Sequence, residues 1–171
     1  MSPLLTRSSH SIASELLYMS IQIRQFKNKD AIKVTNVIKK SFRSIISKNY
    51  TKESVEDQIK ENSPKKILEK AKKVKYFVAV EKGKILGFGG YNEEKIHTFF
   101  VLPEMQGKGI GSKILERVLS EAKREGIKSL KCWATFNAEN FYAVFGFKKR
   151  KKFTLKTKNS SISFMEMTKK L

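Results

Sequence analysis

Three glycines at alternate positions, Gly107, Gly109 and Gly111, stand in the run Gln106-Gly107-Lys108-Gly109-Ile110-Gly111-Ser112. A short apolar stretch from Ile96 to Val101 and a turn at Pro103 precede them, and an amphipathic helical pattern follows as far as Glu125. Strand, glycine turn and helix N-terminus suit the binding of a phosphate. Bare backbone lets the anion approach closely. The unpaired N–H groups of the first helical turn point at it, and the helix dipole favours its charge. Lys108 adds a positive side chain and Ser112 a hydroxyl donor. Nearby, His97 is an imidazole able to move a proton near neutral pH, and Glu93 and Glu94 lie in the turn before it. Cys132, the single cysteine, has no partner that would make it a nucleophile and reads as a buried small residue.

Two familiar phosphate loops fail against this run. A Walker loop needs Lys-Ser or Lys-Thr after its last glycine, and none follows here. A dinucleotide fingerprint needs Gly-x-Gly-x-x-Gly at the first strand of its unit and an acid about 20 residues on. This run is Gly-x-Gly-x-Gly, its strand is the fourth, and the next strand ends in Thr135-Phe136-Asn137 without an acid.

The elements that must hold these residues can be read from periodicity. Ile21, Ile23 and Gln25 alternate with Gln22, Arg24 and Phe26 as a first strand. Asp30 is placed to cap a helix whose apolar face runs Ile32, Val34, Val37, Ile38, Phe42, Ile45 and Ile46. Thr51 opens a second, more polar helix, and Ser63-Pro64 caps and restarts it, with Ile67, Leu68, Ala71 and Val74 on one side. Tyr76–Val80 and Ile85–Tyr91 form a hairpin about Lys82-Gly83, and Asn92-Glu93-Glu94 turns the chain into the strand Ile96–Val101. Strict alternation there would put His97 on one face with Lys95 and Phe99. The helix after the glycines is striped by Ile110, Ile114, Leu115, Val118, Leu119 and Ala122 and closes at Gly126. Ser129–Ala134 is the next strand, parallel to the one before the helix. A short helix from Asn137 to Phe145 precedes a final hairpin, Phe153–Lys156 and Ile162–Thr168, about Asn159-Ser160-Ser161. The fold class is α/β (α+β), one domain over 21–171 with a mixed, mostly antiparallel sheet of about seven strands. Residues 1–20 read as an N-terminal extension, open between a cloning remnant, a disordered lead, an upstream start, a transit peptide and a short extra helix.

The chain of 171 residues carries a net charge of +20. The excess is +10 over residues 21–75 and +8 over 148–171, but only +2 over 76–147, where the glycines lie. Basic flanks around a nearly neutral centre keep nucleic-acid contact as the alternative to a solvated lysine-rich surface. The run Lys148-Lys149-Arg150-Lys151-Lys152 reads as a solvated strand entrance. A lone cysteine excludes a disulfide framework, and no apolar run reaches the roughly 20 residues of a membrane span. A cytoplasmic protein without membrane attachment is expected.

The remaining loop design, Gln/Arg-x-x-Gly-x-Gly/Ala, matches Gln106-Gly107-Lys108-Gly109-Ile110-Gly111. Here the chain resembles the GCN5-related N-acetyltransferases, the GNAT family. Phe99-Phe100-Val101-Leu102-Pro103-Glu104 looks like the family's strand and its Val-x-Pro-Glu turn. Asn137-Ala138-Glu139-Asn140-Phe141-Tyr142 with Gly146-Phe147 looks like its Phe-Tyr-x-x-x-Gly-Phe element, and the order of elements agrees from about Ile21 onward. The resemblance implies an acetyl-CoA-dependent N-acetyltransferase in which amine and thioester meet between two splayed parallel strands, with no acyl-enzyme and no metal. It implies CoA contacts at Phe99, Phe100, Val101, Gln106, Gly107, Lys108, Gly109, Ile110, Gly111, Ser112 and Asn137, the last of which is otherwise only a helix cap. It makes Tyr142 the general acid for the leaving thiolate, where residue type alone would make it a packing aromatic beside Phe141 and Phe145. It offers His97 as the general base, with Glu93 and Glu94 behind it. The acceptor would be a small-molecule or peptide amine, selected by Ile32–Val74 and Phe153–Thr168, and a homodimer is compatible. A basic nucleic-acid- or protein-binding module on the same fold is the alternative function.

Overall fold

The computed structural model describes residues 9–44, 50–156 and 161–171. In chain order the elements are α1 (Ser9–Ser20), β1 (Gln22–Gln25), α2 (Ala31–Ser44), α3 (Lys52–Lys60), α4 (Pro64–Lys70), β2 (Lys75–Glu81), β3 (Lys84–Tyr91), β4 (Ile96–Val101), α5 (Ile110–Arg124), β5 (Ser129–Ala134), α6 (Glu139–Val144), β6 (Lys148–Lys156) and β7 (Ser161–Lys170). Ile45 and Ile46 of the expected helical face, and Asn159 and Ser160 of the expected turn, lie outside the described residues. No helix among the described residues is long and apolar enough to cross a membrane.

The strands form two sheets, β1-β2-β3-β4 and β5-β7-β6, antiparallel throughout. β4 and β5 run side by side in parallel, but among the described residues a single bridge, Lys95 to Lys131, joins them. Lys131 N–H donates to Glu94 C=O at 3.0 Å at that end. Beyond it the two strands part, as the expected splay of this parallel pair requires, and a wedge opens between the two sheets.

β2 and β3 are buried on both faces, which is why they read as nearly unbroken apolar runs. Tyr76, Val78, Ile85 and Phe88 pack towards α2, α3 and α4, against Val34, Ile38, Val55, Ile59 and Ile67. Phe77, Ala79 and Leu86 pack the other way, against Ile110, Ile114, Leu115 and Val118 of α5. The final hairpin closes the second sheet, with Met165 and Met167 of β7 buried against the α5 side and Ile162 against the α2 side.

Two expected caps differ. Asp30 lies in a short 3-10 turn before α2 and does not cap that helix. Its buried carboxylate accepts from Lys27 N–H (2.8 Å) and takes the Arg24 guanidinium in a fork at 2.7 and 3.0 Å. A charged donor outcompetes a helix N–H for the same oxygens. Thr51 does cap α3, accepting from Ser54 N–H, whereas Ser63 stands at the cap of α4 without a side-chain bond and Pro64 supplies the preset first turn. The basic run 148–152 is not an entrance to β6 but its first half, exposed along its length.

α1 lies against the start of α5. Lys113 Nζ donates to the carbonyls of Tyr18 and, at 3.2 Å, Ile21, and stands 4.1 Å from the centroid of the Tyr18 ring.

Candidate active site

β4 carries the local irregularity that shapes the wedge. Gly90 faces His97 and Phe88 faces Phe100, so Thr98 and Phe99 together oppose Gly89. Thr98 takes the left-handed conformation (φ 41°), the signature of a bulge. The bulge inverts the alternation. Phe99 and Val101 join Ile96 on the α5 side, while Phe100 packs on Phe42 of α2 with ring centroids 4.6 Å apart. His97 therefore does not share a face with Phe99, contrary to strict alternation. It turns towards α2, α3 and α4.

The bulge is followed by a run of backbone that β3 leaves partly unpaired. Leu102 N–H donates to Leu86 C=O, and Val101 pairs with Gly87 in register. Bonded and non-bonded pairs alternate along an antiparallel ladder, so Val101 belongs to a non-bonded pair and its N–H and C=O point away from β3, into the wedge. Ser41 Oγ on α2 donates to that carbonyl at 2.8 Å. Gln106 Nε2 approaches the same oxygen at 3.4 Å.

Past β4, Pro103–Met105 makes one 3-10 turn and the glycine run leads into α5. Gly109 is the residue before the helix and is left-handed (φ 79°), a conformation a side chain rarely accepts. Its N–H-rich first turn is open, since the first intrahelical bond from this end is Lys113 N–H to Gly109 C=O at 3.0 Å. A side chain on Gly111 would meet the Phe141 ring at 3.3 Å, so the loop is seated on α6.

Two cavities occupy the wedge. The larger, about 570 Å³, runs from the glycine turn to α6 and is lined by Phe99, Phe100, Val101, Gln106, Gly107, Gly109, Gly111, Ser112, Asn137 and Tyr142, together with Ser41, Met105, Thr135, Ala138 and Phe141. The smaller, about 250 Å³, lies on the α2–α4 side and contains His97, Lys70, Lys95, Gln58, Glu61, Asn62, Trp133, Leu155 and Phe164. Phe99, Phe100, Thr135, Ala138 and Tyr142 line both. Of the residues expected at the cofactor, Lys108 and Ile110 line neither cavity: Lys108 is exposed, and Ile110 is buried in the core beneath α5.

Tyr142 stands at the junction. Its ring is wedged edge-to-face against Phe99, Phe141 and Phe147, at centroid distances of 6.2, 5.2 and 5.5 Å. Burial, with a smaller contribution from Cys132, holds its phenol well above its ordinary pKa, so it keeps its proton throughout the neutral range. His97 is the converse case. Burial first, then Lys95 and Lys70, push its imidazole down to about 4, and its Nε2 is buried without a hydrogen-bond partner. Glu93 and Glu94 line neither cavity. Cys132 is buried, and burial raises its thiol to about 12, as an inert packing residue requires.

Two residues escaped the sequence reading. Ser41 sits on the stripe Val34, Val37, Ile38, Ser41, Phe42, where a hydroxyl at an apolar position was the available signal. Tyr50 is buried, and its hydroxyl accepts from Phe136 N–H at 2.9 Å, fixing the turn that enters α6. No local pattern marks it, because the contact spans 86 residues.

Comparison with known proteins agrees with this geometry. A curated uncharacterised N-acetyltransferase of Archaeoglobus fulgidus is 40% identical over 52 residues, which are 29% of this chain and 35% of that protein. The match thus spans about a third of the relative's length. A GCN5-related N-acetyltransferase structure from Rhodopseudomonas palustris superposes with a TM-score of 0.82 at 20% identity, covering 89% of this chain and 96% of the other. A GNAT family acetyltransferase from Brucella melitensis, solved in complex with acetyl-CoA, gives 0.59 at 25% identity over 75% and 82%. The model of the acetyltransferase (GNAT) domain matches residues 44–171. A domain match over most of the chain shows that this protein belongs to the GNAT acetyltransferase family.

Proposed function

We propose that the protein is an acetyl-CoA-dependent N-acetyltransferase that acetylates a primary amine by direct attack, both substrates being bound together. The observation that carries this reading is the pair of cavities meeting at Tyr142, one reaching the glycine turn and the other bordered by α2–α4 and the final hairpin. The acetyl-CoA in the related Brucella melitensis structure supports acetyl-CoA as the donor, and the glycine turn favours the larger cavity for it.

In this reading the first-turn N–H groups of α5 and the bare loop at Gly107 and Gly109 receive the pyrophosphate. The outward N–H of Val101 is the donor on β4 for the pantetheine arm or the thioester oxygen. Ser41, by donating to the Val101 carbonyl, anchors the next peptide along, the one whose N–H at Leu102 is held by Leu86, and so steadies the residue that carries the donor. The amine nitrogen attacks the carbonyl carbon from the smaller chamber, the C–S bond breaks, and the nitrogen loses a proton as the sulfur gains one. A phenol that stays protonated is suited to hydrogen-bond to, and then protonate, the departing thiolate. The amine must arrive neutral, although a free alkylamine has a pKa of about 10.

A melting experiment tests the reading. Acetyl-CoA at about 100 times its dissociation constant should stabilise the fold by about 2.7 kcal/mol, and thiol release should then require an amine. No shift with acetyl-CoA, alongside salt-sensitive binding of DNA or RNA by the basic flanks, would replace the enzyme with a binding module.

A further inference from the structure

The smaller chamber has a chemical character of its own. Lys70 reaches it from α4, with Nζ donating to two neutral oxygens, the Glu61 carbonyl and Asn62 Oδ1, both at 2.9 Å. Lys95 reaches it from the start of β4, with Nζ 3.2 Å from the centroid of the Trp133 ring. Both are half-buried, and no carboxylate pairs with either ammonium among the described residues. Among the described residues Glu61 is the acidic member of the lining; its charge partly offsets the burial of Lys70, as Glu94 and Glu166 partly offset that of Lys95, and in both cases burial outweighs them. His97 shares the lining and feels both cations, and its buried Nε2 has no hydrogen-bond partner among the described residues. Burial lowers the affinity of both lysines for their protons, which marks ammonium groups short of compensating charge.

We propose that this chamber takes amine acceptors bearing a carboxylate close to the amine, with Lys70 and Lys95 holding the carboxylate and His97 Nε2 accepting from the amine. The inference rests on the donor reading above and specifies its acceptor. A carboxylate supplies the charge that two desolvated ammonium groups lack, and charge-assisted bonds of this kind are the strong ones. A polyamine would bring a second cation towards two others, with Glu61 alone to receive it. The same positive field has a catalytic use, because it favours the neutral form of the attacking amine as it favours the neutral form of His97. The chamber is small and is bordered by Leu155 and Phe164 of the final hairpin, which suits a short acceptor or the first residue of a peptide.

Matched amines of similar basicity test this: β-alanine against propylamine, spermidine as a polycation, and peptides beginning with Asp against those beginning with Asn. We expect β-alanine to exceed propylamine by about tenfold in kcat/KM, the worth of one charged hydrogen bond. Lys95→Gln and Lys70→Gln should erase that ratio, and Lys95→Arg should keep it. Preference for the Asp peptide over β-alanine would make the source a protein N-terminus, and the reverse a free small molecule; either result supports the shared chemistry. Propylamine or spermidine acetylated as well as β-alanine, or a ratio unchanged in both glutamine variants, overturns it. A second readout needs no acetyl-CoA. Titrating propionate while following the imidazole signal of His97 should move its titration upward, and an unmoved His97 overturns the proposal. A melting shift with acetyl-CoA but no carboxylate preference overturns the acceptor class alone, whereas no melting shift overturns the donor reading.

Discussion

The Phe99 ring fills the space that a side chain on Gly89 would need: a Cβ there would lie 2.4 Å from Phe99 Cδ2. The bulge at Thr98–Phe99 and the bare position opposite it are one device, since the ring that lines both cavities crosses over the neighbouring strand. Gly89→Ala should drive Phe99 towards Phe141 and Tyr142. We expect a loss of about 2 kcal/mol, the usual cost of overpacking, with a fall in turnover larger than any change in acetyl-CoA affinity. Urea denaturation beside thiol-release kinetics separates the two effects.

Tyr142→Phe keeps the ring of Tyr142 and removes only its hydroxyl group. Turnover should drop about 100-fold, within the range for a general acid, while the acetyl-CoA dissociation constant measured by calorimetry stays within about threefold. Unchanged turnover would make Tyr142 a packing residue.

His97 has consequences for stability rather than for the neutral pH–rate profile. An imidazole held at about 4 in the folded chain and 6.5 when unfolded is neutral across the neutral range, so His97→Gln should leave the shape of the profile there unaltered. The sign of the stability effect follows from which state binds the proton first. As pH falls from about 6.5 the unfolded chain protonates and the folded chain does not, so stability is lost progressively until about pH 4. Glutamine in place of His97 removes this component. The denaturation midpoint of the variant should therefore fall less steeply with acid than that of the wild type.

Ser41→Ala should cost about 1 kcal/mol, the ordinary worth of one hydrogen bond, and free the Val101 carbonyl to turn. The KM for acetyl-CoA should rise several-fold with kcat little changed. Equal KM values would show that Ser41 has no part in steadying the β4 donor.

Asp30→Asn keeps the shape of the buried turn but removes the charge that Arg24 meets. We expect a loss of about 2 kcal/mol at neutral pH, the scale of hydrogen bonds to charged groups. The Arg24 hydrogen bonds hold the Asp30 carboxyl below its ordinary pKa, so the wild type has this stability above the unfolded carboxylate range and loses it as pH falls through the folded value. The two proteins should converge in strong acid.

Elements with their own periodicity were legible without coordinates: Ile96–Val101 and Ser129–Ala134 are strands over those residues, and α5 carries its expected stripe. The glycine turn was legible because its chemistry is local. What failed depends on partners that periodicity does not pair. Asp30 turned from cap to ion-pair acceptor because Arg24 comes back over it. The two-residue bulge at Thr98 depends on the bare edge of β3, so alternation misplaced Phe99 relative to His97. Lys70 and Lys95 read as surface charge until α4 and β4 were brought together, and Ser41 was hidden in an apolar stripe.

β6 is the outer strand of its sheet, and its first half is Lys148-Lys149-Arg150-Lys151-Lys152, all exposed. An open strand edge invites another strand to add to it, and lysines along that edge are a common defence. Were a second copy to extend the sheet there, like charges would stand opposite one another across the new ladder. The basic run thus guards the fold against its own copies, a protection that weakens as salt screens the repulsion.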